Sequence, residues 1–95
     1  MNTIEEFMEL LDSKGIRYHV EEIFDKENDE TLKFVYITKS MQTGKVKKKN
    51  EFEPYLRISK HYGREPENYF YVRDTGWCHV AHYEEILARL EIMFA

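Results

Sequence analysis

One cysteine leaves no internal disulfide framework to stabilise the fold. No apolar run approaches the roughly 18 residues of a membrane helix. The first residues are acidic and lack the basic-then-apolar order of a secretory leader. These absences lead to the expectation of a reducing, cytoplasmic setting without membrane association. Missing too are a phosphate-binding glycine loop, a nucleophile elbow and a paired-glycine dinucleotide motif. No cofactor is therefore expected, and the chemistry-bearing residues have to be weighed one cluster at a time.

What is present is 95 residues, 42% hydrophobic and 15% aromatic. That is enough to bury one core, too little for two, and too apolar for disorder. A single domain spanning 1–95 is the expectation. The net charge of −4 conceals a segregated pattern. Residues 1–31 hold ten acids and three bases, residues 32–64 nine bases and two acids, and residues 65–95 six acids and two bases. Such blocks bear on surface potential and partners rather than on fold, and they also neutralise one another once folded.

Thr3-Ile4-Glu5-Glu6 is a capping box, with Ile4, Phe7, Met8, Leu10 and Leu11 on one helical face and Gly15 as the left-handed stop. A strand is expected directly after that glycine, where Ile16, Tyr18 and Val20 alternate with Arg17 and His19. Ile23-Phe24 after Glu21-Glu22 suggests a bulge or an early end. The polar run 25–30 is a connection, and Thr31–Ser40 reads as the longest strand, apolar on both faces. Residues 41–49 form a lysine-rich loop.

A second helix is expected over 50–62. Asn50 can cap it, Pro54 is tolerated in its first turn, and Phe52, Tyr55, Leu56, Ile58 and Tyr62 share one side. A strand over Phe52–Ser59 is the competing reading. Residues 68–81, NYFYVRDTGWCHVA, then form a β-hairpin closing on Asp74-Thr75-Gly76. Its expected inner face holds Phe70 and Val72 on one arm and Cys78 and Val80 on the other. A last helix begins at Ala81 or His82, with Tyr83, Ile86, Leu87, Leu90, Met93 and Phe94 as its stripe and Glu85–Arg89 as an i, i+4 pair. Ala88 and Ile92 lie on its far side, a hint of self-association. The expected class is α+β in the order α-β-β-α-β-β-α, a mostly antiparallel four-stranded sheet packed with three amphipathic helices.

Cys78-His79-x-x-His82 offers three metal ligands in five residues, but zinc needs four that converge. Adjacent strand residues also point to opposite faces, so Cys78 and His79 are no nucleophilic pair. No metal site and no catalytic residue are assigned. Asp74-Thr75-Gly76 has the composition of an ordinary turn.

The residues that a core needs least are Tyr69, Tyr71, Arg73 and Trp77, which the alternation places on the outer face of the hairpin. Arg57, Lys60 and Arg64 fall in one narrow sector of the expected second helix, near Lys47, Lys48 and Lys49. Tyr, Trp and Arg dominate interface energetics, and segregated charge steers association. The leading expectation is a small non-enzymatic binding or regulatory protein that recognises another macromolecule, a protein in the first instance. This is also the format of many inhibitors encoded by phages and mobile elements. The alternative is single-stranded nucleic-acid binding, with the sheet aromatics stacking bases and the basic 45–64 segment holding the backbone. A small enzyme using His79, His82 or His61 ranks third.

Overall fold

The computed structural model describes residues 1–44, 52–61 and 63–95. Helix α1 spans Ile4–Ser13 and strand β1 His19–Asp25; β2 spans Glu30–Thr38 and is followed by a 3-10 turn over Ser40–Thr43. Strands β3 (Tyr55–Ser59), β4 (Tyr69–Asp74) and β5 (Trp77–His82) then lead into helix α2, Tyr83–Phe94. All strands are antiparallel and lie in the order β1-β2-β3-β4-β5, each beside its neighbour in sequence.

The expected three helices and four strands are therefore corrected to two α-helices and five strands among the described residues. The error lies in 50–62. A short apolar run fits both a 3.6 and a 2.0 period, and here the second holds. Leu56 and Ile58 are buried against the helices, whereas Tyr55 and Arg57 turn to the other side. Phe52, which a helical stripe would have buried, is 99% exposed. As a strand the segment pairs with β2 through Ile37↔Leu56 and with β4 through Ile58↔Val72. It thus satisfies backbone groups on two flanks at once. The expected cap Asn50, and with it Tyr62, lies outside the described residues.

Both helices pack on one face of the sheet. Phe7 and Leu11 of α1 and Ile86 and Leu90 of α2 close over Val35, Ile37, Leu56, Ile58, Phe70, Val72 and Ala81. The Thr3 cap forms as expected: its hydroxyl accepts from Glu6 N–H at 3.1 Å. At the other end Gly15 takes φ 69°, and Ile16 N–H reaches the Leu11 carbonyl at 3.0 Å. That bond and the one from Gly15 N–H to Asp12 make a Schellman stop.

Strand β1 starts at His19 rather than directly after Gly15. The Arg17 N–H and carbonyl are taken instead by the Gln42 side chain, at 2.9 and 2.8 Å. No bulge follows, because the register runs unbroken from His19↔Tyr36 to Asp25↔Glu30. Ile23 and Phe24 break the apolar alternation because they sit near the exposed end of the hairpin, more than half exposed. Strand β2 is covered on both sides, as its composition implies. Leu32, Phe34 and Tyr36 form a second small core on the outer face with Met41 and Tyr55.

Candidate functional site

The site is fixed by one number, the length of the last hairpin's turn. Asp74 pairs with Trp77, so the loop is the two residues Thr75-Gly76, with Gly76 at φ 103°. A three-residue turn keeps facing positions at the same parity; a two-residue turn makes them opposite. One residue of difference moves the whole second arm to the other face. The inner partners are accordingly Phe70↔Ala81 and Val72↔His79, and Ala81 is the buried one. Cys78 and Val80, expected inside, face outward, with Val80 49% exposed. Trp77 and His79 go to the helix side, their rings stacked at 4.2 Å.

The expected surface of Tyr69, Tyr71, Arg73 and Trp77 thus divides. The two tyrosines and Arg73 share the outer face. Trp77 borders a cleft of about 220 Å³ on the opposite side, together with Asp74, His79, Glu85 and Arg89. In that cleft Arg89 bonds to the buried Asp74 at 2.6 Å instead of pairing with Glu85. His79 Nδ1 is buried there without a hydrogen-bond partner among the described residues.

The expected basic sector divides as well. As a strand, residues 55–60 send Arg57 outward and Lys60 to the helix face. Lys60 Nζ donates to the carbonyls of Tyr69 (2.7 Å) and Pro66 (3.0 Å) and lies 4.9 Å from the Phe70 ring centroid. Burial holds its amine below the ordinary lysine value. It is a brace for the connection into β4, not a rim charge. Arg64 is exposed in that connection, off the sheet. Lys47, Lys48 and Lys49 lie outside the described residues.

Arg57 gains a neighbour that helical spacing could not reveal. It stands directly opposite Arg73 across the β3–β4 ladder. Register carries the row on to Tyr36 on one flank and Cys78 on the other. The Arg57 guanidinium lies over the Phe34 ring at 4.7 Å, and its Nε is buried without a hydrogen-bond partner among the described residues. Among the described residues no carboxylate stands within ion-pair distance of either arginine. Like charges directly opposite on a sheet are destabilising, so this is an arrangement the fold itself does not require. In the adjoining row are Tyr71 and Ser59, the latter almost fully buried and its hydroxyl without a partner among the described residues. A hydrogen bond to the Cys78 thiol raises the Tyr71 phenol above its ordinary value. His61 sits against Tyr71 with ring centroids 5.8 Å apart.

The histidines named for catalysis are not gathered. His82 caps α2, its Nδ1 accepting from Glu84 N–H at 3.2 Å. His79 lies on the helix side of the sheet, and His61 on the outer side beside Tyr71. No group of three His, Cys, Asp or Glu side chains among the described residues is placed to hold a metal ion. No described helix is long and apolar enough to cross a membrane. Comparison with family models, curated proteins and solved structures finds no match for this chain.

Proposed function

We propose that the chain is a non-enzymatic module that binds another protein on the outer face of its sheet, where an acidic group of the partner seats between Arg57 and Arg73. The observation that carries the reading is the opposed arginine pair without a carboxylate among the described residues. Two guanidinium forks side by side match the planar, bidentate geometry of carboxylates. Tyr69, Tyr71 and Val80 flank them with apolar surface that tolerates water at its polar tips. Two features favour a protein over a nucleic acid. Lys60 is committed to carbonyls on the opposite face, and Glu21 stands on the outer face of β1, opposite Phe34. Both thin the basic track that a phosphate backbone requires.

The test is capture from a native lysate by the wild-type chain, Arg73→Gln and Tyr71→Ala, with and without nuclease. The expected result is a protein retained after nuclease treatment and weakened about tenfold or more by either substitution, at unchanged circular dichroism. Capture abolished by nuclease would assign the face to nucleic acid. Capture indifferent to both substitutions would move the site elsewhere.

A further inference from the structure

The two edges of the sheet are built differently. Strand β1, HVEEIFD, carries three acids along its exposed edge. Strand β5, WCHVAH, carries no Lys, Arg, Asp, Glu or Pro, the residues that natural edges use against unwanted pairing. Its hydrogen-bond phase is fixed by the bond from Tyr83 N–H to the Asn68 carbonyl at 2.8 Å. Pairing alternates in an antiparallel ladder, so Trp77, His79 and Ala81 bond to β4. The N–H groups of Cys78, Val80 and His82 then point away from the sheet. Water can satisfy each of these groups singly, and another strand can satisfy the whole row in register.

We infer that β5 pairs antiparallel with β5 of a second copy, joining two five-stranded sheets into one of ten strands. A second copy fits for three reasons. An uncharged edge places no like charges opposite one another when it meets itself. Antiparallel pairing of one strand with its twin is isologous and therefore closes at two chains. The flank of α2 that borders the β5 cleft through Glu85 and Arg89 continues outward to Ala88 and to Ile92, which is 71% exposed. The acidic β1 edge fails the first condition, since Glu21, Glu22 and Asp25 would repel their own copies. The inference stands apart from the arginine face, which remains open in the paired form.

The experiment is the molar mass in solution by light scattering, across the concentration range in which the chain stays soluble. Wild type should reach twice the 11.6 kDa of one chain. Val80→Pro removes an outward N–H without touching the β4 ladder, and Val80→Lys places a charge on the edge. Both should return the mass to one chain at unchanged circular dichroism. Should the proline variant fail to fold, the lysine variant carries the test alone. A wild type that stays at one chain mass throughout overturns the inference. So does a dimer that Val80→Lys leaves intact.

Discussion

Phe70 and Val80 lie in adjacent cross-strand pairs of the same hairpin, on opposite faces, yet differ in every respect that governs stability. Phe70 is fully buried, its ring 4.9 Å from Phe7. Phe70→Ala should cost about 3–5 kcal/mol in denaturant titration, whereas Val80→Ala should stay within about 0.5 kcal/mol when chain concentration is held low. Equal losses would mean the faces are assigned wrongly. Arg73 offers the opposite sign. Relieving its repulsion with Arg57, Arg73→Gln should stabilise the isolated chain by about 0.2–1 kcal/mol at low ionic strength, with the gain shrinking as salt is added. Glu6 gives a pH dependence. The Asn2 N–H at 3.2 Å, then the Thr3 hydroxyl at 3.1 Å, hold its carboxyl below the ordinary 4.5. A carboxyl depressed in the folded state stabilises above its ordinary value and loses that contribution as pH falls through the folded one. Melting curves of wild type and Glu6→Gln should therefore converge on the acid side and separate above pH 4.5.

At the scale of elements, β3 carries the central pairing, and Ile58 is fully buried with a partner strand on each side. Ile58→Ala should cost about 2–4 kcal/mol. Amide exchange should show Leu56 and Ile58 among the slowest positions of the chain, an outcome no surface helix would give. α1 was legible because capping box, stripe and glycine stop all agree, and α2 and the long strand were legible from periodicity. β3 was not, since five residues satisfy two periods and only the demand of β2 and β4 for a partner decides between them. The second arm of the last hairpin failed for a smaller cause. Asp74 has the composition of a turn residue but closes the ladder opposite Trp77, and that one residue reverses Cys78, Val80, Trp77 and His79. The same Asp74 anchors Arg89 of α2, so Arg89→Met should cost about 1–3 kcal/mol by leaving a nearly buried carboxylate with only the Thr75 N–H as its partner.

For the molecule as a whole, one sheet face is closed by two helices and the other carries the arginine pair. The placement of Tyr69, Tyr71 and Arg73 together follows from alternation within one strand and could be read from sequence. Arg57 joins them only through strand register, which a single sequence does not encode locally.

The meander has a further consequence for the order in which the chain is made. Each strand from β2 onward pairs with the strand made just before it, whereas α1 packs in part on a strand made much later. Phe7 packs on Phe70, and Asn68 N–H bonds to the Met1 carbonyl at 2.9 Å. At about 5–20 residues per second of synthesis, α1 is made roughly 3–12 s before β4. For that interval its apolar stripe has only the earlier strands, Val35 and Ile37 of β2 among them, for cover, and a stalled chain ending before Asn68 would leave Phe7 without the ring it packs on.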